Sequence, residues 1–77
     1  MREAIEVLAR ALVDDPDAVE VRENARRGDT LYLELLVGPG DMGKVIGRHG
    51  RIAAAIRNVA SAAAAKQNQR VVLDINS

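Results

Sequence analysis

A chain of 77 residues, 48% of them hydrophobic and 29% charged, has room for one hydrophobic core, so we expect one domain over residues 1–77. With no cysteine and a single histidine, the chain excludes a disulfide framework, a cysteine-rich zinc site and a two-histidine mechanism. No apolar run approaches the ~20 residues of a membrane span, and MREAIEVLAR mixes charges too early for a secretory signal. We therefore expect a cytoplasmic protein with no membrane partner.

The formal net charge of zero hides an uneven distribution of charge along the chain. Residues 1–41 contain five Arg against ten Asp and Glu, whereas residues 42–77 contain six Lys and Arg against Asp74 alone. Such asymmetry indicates an anionic partner for one face, although a helix-dipole effect combined with chance remains an alternative. The basic residues between the last two acids are Lys44, Arg48, Arg51, Arg57, Lys66 and Arg70.

The first half of the chain predicts a helix followed by two strands. REAIEVLARALVDDP has apolar residues at helical spacing and ends at Pro16. AVEVREN alternates, a turn signal follows at Arg27, Gly28 and Asp29, and TLYLELLV alternates again, which predicts an antiparallel pair.

The second half predicts two helices and a last strand. A Gly38-Pro39-Gly40 break precedes Asp41, an N-cap candidate for a short helix over residues 42–46. After the loop GRHG comes an alanine-rich helix from about Arg51 to Lys66, and RVVLDI then alternates as a strand. The fold class is therefore α+β, with helices packed on one face of a three-stranded sheet.

The glycines near residue 40 resemble two nucleotide-binding patterns, and both fail. Gly38, Gly40 and Gly43 follow a strand as in a dinucleotide fingerprint, but the acidic residue about 20 positions later is missing. Gly38, Gly43 and Lys44 match most of a P-loop, yet Val45 stands where Ser or Thr must hold magnesium. We therefore expect no nucleotide cofactor, no metal and no small-molecule substrate, and interpret Gly38 and Gly40 as turn residues.

The loop GRHG separates two helices with two glycines. Gly47 can end the short helix in a left-handed conformation, whereas Gly50 starts the long helix with no side chain over its free N–H groups. Because a tight turn between helices needs only one glycine, the second indicates a helix N-terminus left bare for phosphate.

Basic side chains surround this loop. Arg48 and His49 lie between the glycines, Lys44 precedes them by one helical turn, and Arg51 opposes the dipole of the next helix. An arginine at this unfavourable position suits a site where an external anion binds the start of the helix. The isoleucines on either side are expected to pack the two helices on the sheet, and part of this apolar surface is available to bases: Ile46, Ile52 and Ile56.

VIGRHGRIAAAIR, residues 45–57, resembles the signature of the KH domain, a nucleic-acid-binding module whose GxxG loop joins two helices. The element order α-β-β-α-α-β resembles its type II arrangement. LVDDPDAVEV, GDMGKVIGRHGRIAAAIR and VVLDI resemble the small bacterial single-KH RNA-binding proteins of the KhpA family. The resemblance spans essentially the whole chain.

This resemblance implies that the GxxG loop clamps the sugar-phosphate backbone of about four single-stranded nucleotides, with the bases over a groove. One wall would be a strand that the sequence does not identify. The position three after the second motif glycine is Ala53 rather than a branched residue, which leaves the groove shape open. Tyr32 is the only aromatic residue, which argues against stacking platforms of the RRM or OB type. The candidate RNA-binding residues are Lys44, Ile46, Gly47, Arg48, His49, Gly50, Arg51, Ala53, Ile56 and Arg57.

The resemblance further implies an RNA chaperone-like regulator that associates with itself and with a longer KH protein of the KhpB type, linked to cell-wall synthesis and cell shape. On the long helix, alanines 60 and 62–65 either pack on the sheet or meet another chain. A protein-interaction module with minor RNA binding is the main alternative.

No enzyme is expected, since no paired acids or activated nucleophile accompany His49. A helix-turn-helix DNA reader is also disfavoured, because few side chains of the long helix suit contacts with base edges.

Overall fold

A computed structural model describes all residues from Met1 to Ser77 and confirms the predicted order of elements. Short 3₁₀ turns lie at Pro16–Ala18, Pro39–Asp41 and Arg48–Gly50. The helices and strands are α1 (Arg2–Leu12), β1 (Glu20–Arg27), β2 (Thr30–Leu36), α2 (Met42–Ile46), α3 (Arg51–Ala65) and β3 (Arg70–Asn76). None of the helices is both long and apolar enough to cross a lipid bilayer.

The three strands form one sheet in the order β1-β2-β3. β1 and β2 are antiparallel, as predicted, and turn at Gly28 and Asp29. β3 runs parallel to β2, with Leu33 opposite Leu73, because the crossover through α2 and α3 returns the chain to the same end of the sheet. β3 therefore has one edge paired with β2 and one edge free.

The core lies between the sheet and the helices. Alternate residues of β2 point to opposite faces, so one side of that strand is uniformly apolar and buried. The buried residues of the strands and of the segments that flank them are Val19, Val21, Leu31, Leu33, Leu35, Val37, Leu73 and Ile75. Ile5 and Ala9 of α1 and Ile56 of α3 belong to the same core cluster as these residues.

The alanines of α3 divide between the core and the surface. Ala53, Ala60 and Ala64 are buried, and their small side chains let the helix approach the sheet closely. Ala62 and Ala65 are exposed. Packing on the sheet therefore accounts for one stripe of the alanine-rich helix, and the other stripe faces solvent.

Candidate nucleic-acid interface

The loop between α2 and α3 has a backbone that ordinary residues adopt at a cost. Gly47 has φ 75°, Gly50 has φ 71°, and His49 between them has φ 57°. Left-handed conformations of this kind favour glycine, while Asn, Asp and His are the side-chain-bearing residues that tolerate them best. The expectation that one glycine would suffice for this turn is therefore wrong, since both positions need a positive φ.

The two glycines differ in the space around them. A Cβ on Gly47 would lie 2.6 Å from Cγ1 of Ile52, whereas a Cβ on Gly50 would meet nothing within 4 Å. Gly47 thus lets the loop lie against the first turn of α3. Gly50 leaves open space in front of that turn, as the sequence predicted.

The N-terminus of α3 carries no capping side chain. Its N-cap residue is Gly50, and no side chain accepts a hydrogen bond from the first-turn N–H groups. The N–H of Arg51 donates to the Arg48 carbonyl, which leaves the following N–H groups of the first turn and the positive end of the helix dipole beside the exposed side chains of Arg48, His49 and Arg51. The arrangement offers backbone and side-chain donors to an anion.

Most cations of the basic half have no acidic partner. Among its lysines and arginines, only Lys44 forms an ion pair. In the acidic half, by contrast, Arg10, Arg22 and Arg26 each pair with a neighbouring glutamate. The charge available to an external anion is therefore concentrated on the side chains of Arg48, Arg51, Arg57, Lys66 and Arg70.

Lys44 belongs to a cluster that fixes the start of α2. Its Nζ lies 2.9 Å from Oδ2 of Asp14 and 3.3 Å from Oδ1 of Asp41. The Asp41 carboxylate also accepts hydrogen bonds from the backbone N–H groups of Asp14 and Asp15, each at 3.1 Å. Asp41 thus stands at the predicted N-cap position, but its side chain does not cap α2. It joins the chain after α1 to α2 instead.

The protonation equilibria of this cluster follow from its contacts. The hydrogen bond from the Asp14 backbone is the largest cause that lowers the pKa of Asp41 below its ordinary value, outweighing burial. The pKa of Lys44 is raised, first by its hydrogen bond to Asp14 and then by that to Asp41. Both groups therefore stay charged over a wider pH range than free side chains, and Lys44 Nζ is held toward two carboxylates.

The structure identifies the strand that lines a groove beside α3. The N–H of Arg70 donates to the Asp29 carbonyl, and the Asn76 carbonyl accepts from the N–H of Val37, so both residues of β3 pair on the side of β2. Because the N–H and C=O groups of successive strand residues point to opposite edges, those of residues 71, 73 and 75 point to the free edge. Nε of Arg57 donates a hydrogen bond of 3.1 Å to the Leu73 carbonyl. A shallow depression of about 380 Å³ lies along this edge, lined by Arg57, Ser61, Val71, Val72, Leu73 and Asp74.

The apolar candidates from the sequence lie mainly beneath this surface. Ala53 and Ile56 are each 3% exposed and belong to the core. Ile46 and Ile52 are half-buried and pack against that core. The isoleucines therefore pack the two helices on the sheet, as expected, and neither Ala53 nor Ile56 lines the depression.

The match to known proteins agrees with this geometry. Residues 2–75 match the family model described as "KhpA/KhpB, KH domain". The chain belongs to this KH-domain family. Its three helices and three-stranded sheet, in the order α-β-β-α-α-β, are consistent with the type II KH fold.

Curated relatives in the KhpA/KhpB family match the chain over nearly their whole length. The RNA-binding protein KhpA of Halalkalibacterium halodurans is 55% identical over 97% of this chain and 97% of its own. The RNA-binding protein KhpA of Clostridium perfringens is 52% identical over 97% and 99%. That of Aquifex aeolicus is 43% identical over 97% and 94%. No solved structure gives a significant match. These relatives are named as RNA-binding proteins, not as enzymes.

Five of the six residues that line the depression were not among the candidates from the sequence: Ser61, Val71, Val72, Leu73 and Asp74. Ser61 lies one turn after Arg57 on α3, and Asp74 lies on β3. Ser61 has a local signal, because helical spacing places it beside Arg57. Asp74 has no such local signal in the sequence, because only the order of strands in the sheet shows that β3 has a free edge.

Proposed function

We propose that this protein binds single-stranded RNA through the GRHG loop. The observation that supports the proposal most strongly is the uncapped N-terminus of α3, which lies beside exposed, unpaired Arg48 and Arg51. Backbone N–H groups and the helix dipole attract phosphate, and an arginine fork adds paired hydrogen bonds. Relatives that cover 97% of the chain are named RNA-binding proteins, which favours RNA as the anion.

In this proposal each part of the loop has a separate task. Gly47 and Gly50 let the RNA backbone approach, Arg48 and His49 contact phosphate, and Arg51 adds charge at the helix start. Lys44 contributes a weaker attraction, because two carboxylates already hold its ammonium group. About four nucleotides would be clamped, as in other KH domains.

The bases would follow the depression between α3 and β3. The free edge of β3 supplies backbone groups that can hydrogen-bond base edges, and Arg57 supplies side-chain donors. Ile46 would contribute the exposed part of its side chain, while Ala53 and Ile56 would hold α3 in place from the core. With no aromatic residue on this side, stacking adds little and sequence preference rests on hydrogen bonds.

Charge reversal in the loop tests the proposal. The double variant Arg48→Asp/His49→Asp should lose binding to a single-stranded RNA while it keeps the fold, since both side chains are exposed and Asp tolerates the backbone of residue 49. A matched control is Arg26→Asp/Arg27→Asp, which reverses two exposed arginines of β1. The control should bind RNA within a few-fold of the wild type. Unchanged affinity of the loop variant at low salt would refute the proposal.

We further propose that residues 1–77 act as a single KH domain in the cytoplasm. The module would be an RNA chaperone or post-transcriptional regulator that works with itself and with a longer KH protein of the KhpB type. The family model covers both KhpA and KhpB, which supports that pairing. Copurification with and without ribonuclease tests it: a partner that survives digestion binds protein, and one that disappears is tethered by RNA. Loss of normal cell shape in a deletion strain would test the proposed role in cell-wall synthesis.

An alternative function is protein interaction, with RNA binding as a minor activity. The outward stripe of α3 favours it, because Val59 is 42% exposed and lies near the exposed Ala55 and Ala62. Small side chains allow close approach of a second surface. Sedimentation of Val59→Asp would show a monomer where the wild type shows a dimer if this stripe is an interface.

A further inference from the structure

The guanidinium group of Arg57 lies at the free edge of β3. Nε donates to the Leu73 carbonyl at 3.1 Å, and the side chain forms no other hydrogen bond and no ion pair with a carboxylate. Arg57 nevertheless remains exposed. Both Nη groups are thus without a protein partner, while the hydrogen bond from Nε to Leu73 holds the side chain in place.

This position separates Arg57 from the phosphate-facing loop. Arg57 follows Arg51 by six positions on α3, which corresponds to about 9 Å along the helix axis. It lines the open depression beside β3. A strand of RNA whose phosphates lie at the loop would therefore present its bases, rather than its backbone, to Arg57.

A fixed arginine fork selects among bases by the pattern of their edges. Two parallel N–H donors match two adjacent acceptors, which guanine offers at O6 and N7 and cytosine at O2 and N3. Adenine places a donor beside N7, and the N3–H group of uracil separates its two carbonyl oxygens. Because Leu73 already restricts Arg57, less side-chain entropy is lost when a base binds.

We infer that Arg57 is a specificity-determining residue that favours one base with two adjacent acceptors, guanine or cytosine, in the groove beside β3. The inference rests on the proposed RNA-binding function and adds to it a preference for guanine or cytosine at one position of the bound RNA. The Leu73 carbonyl is the positioning group, and the two Nη groups would touch the base.

Octaadenylate and three octanucleotides that replace one central adenine with guanine, cytosine or uracil test the inference. Because a short RNA can slide along the site, one substitution suffices to place the preferred base beside Arg57. The wild type should bind the guanine or the cytosine octamer about tenfold more tightly than the adenine and uracil ones. Comparison of the first two shows which edge is read.

Arg57→Lys is the decisive variant, because it keeps the charge and removes the fork. It should bind octaadenylate within about threefold of the wild type, while the preference for guanine or cytosine falls to within about twofold. Arg26→Lys, the matched control, changes an exposed arginine of β1 away from the proposed binding surface and should keep both the affinity and the full preference. A thermal melt of each variant shows that the fold is retained.

The outcomes separate this inference from the proposed function. Equal binding of all four octamers by the wild type, or a preference that survives Arg57→Lys, overturns the role of Arg57 alone. Failure of the wild type to bind any octamer at low salt overturns the RNA-binding function, and this inference with it.

Discussion

At the junction of α2 and α3, the side chain of Ile52 fills the space that a side chain on Gly47 would need. A Cβ on residue 47 would lie 2.6 Å from Cγ1 and 2.9 Å from Cβ of Ile52. The second of these atoms is attached directly to the backbone of α3 and cannot rotate away. The close approach therefore couples the conformation of the GRHG loop to the packing of the long helix.

Gly47→Ala should destabilise the fold by about 1–3 kcal/mol, because the new methyl group overpacks against Ile52 at a backbone with positive φ. Gly43→Ala is the matched control, since it lies within α2 with nothing within 4 Å of the added Cβ. The control should be neutral or stabilising by about 0.5–1 kcal/mol. Urea denaturation measures both, and equal midpoints for the two variants would contradict the packing described here.

His49 should respond to substitution according to backbone preference. Its φ of 57° suits Asn and is strained for a β-branched residue. His49→Asn should therefore keep the unfolding midpoint near that of the wild type, whereas His49→Val should lower stability by about 1–3 kcal/mol. Because the side chain is exposed, lost packing cannot explain such a difference. Similar stability of the two variants would show that residue 49 leaves the left-handed region.

Acid should weaken the connection between α1 and α2 through Asp41. A carboxyl whose pKa is lowered in the folded state stabilises the fold above its unfolded pKa, and this contribution is lost as the pH falls through the lower folded value. The loss should therefore begin below about pH 4. Asp41→Asn should lower the thermal midpoint at pH 7 and flatten its dependence on pH in this window.

The matched control for Asp41 is Asp17→Asn, an exposed acid with no hydrogen bond or ion pair to its side chain. It should leave the midpoint near the wild-type value at both pH 7 and pH 4. If Asp41→Asn and Asp17→Asn had the same effect, the hydrogen bonds from Asp14 and Asp15 would not stabilise the fold.

If the proposed clamp is correct, salt should weaken RNA binding in proportion to the number of phosphates that the loop neutralises. For single strands, the slope of log affinity against log salt is roughly −0.7 for each phosphate contact. Arg48→Gln should make that slope less steep by about 0.7, since Arg48 forms no ion pair within the protein. Arg22→Gln on β1, already paired with Glu20, should leave it unchanged. A slope that is flat in the wild type would argue against a phosphate clamp.

Ile56 should affect stability and not RNA affinity. It is 3% exposed within the core, so Ile56→Val should destabilise by about 0.5–1.5 kcal/mol. RNA affinity, measured well below the melting temperature, should stay within about twofold, a change worth less than 0.5 kcal/mol. A large loss of affinity with a small loss of stability would instead place Ile56 in direct contact with bases.

Local patterns were sufficient to predict most of the fold. Alternation in TLYLELLV, helical spacing in REAIEVLARAL and the glycines of GRHG each reflect interactions within a few residues, and the structure has elements at all three places. The partners of Asp41 could not be predicted in this way. The N-cap rule considers only the next turn of the chain, whereas Asp41 accepts hydrogen bonds from residues 26 and 27 positions away.

The sequence by itself determined the order of elements, the two glycines around Arg48 and His49, and the concentration of positive charge after residue 41. Those features depend on side-chain type and spacing along the chain. Only the tertiary structure decided that β3 is an edge strand and that Arg57 reaches the Leu73 carbonyl. Strand order and a contact between residues 16 positions apart arise from how the crossover packs α3 on the sheet, which no local pattern encodes.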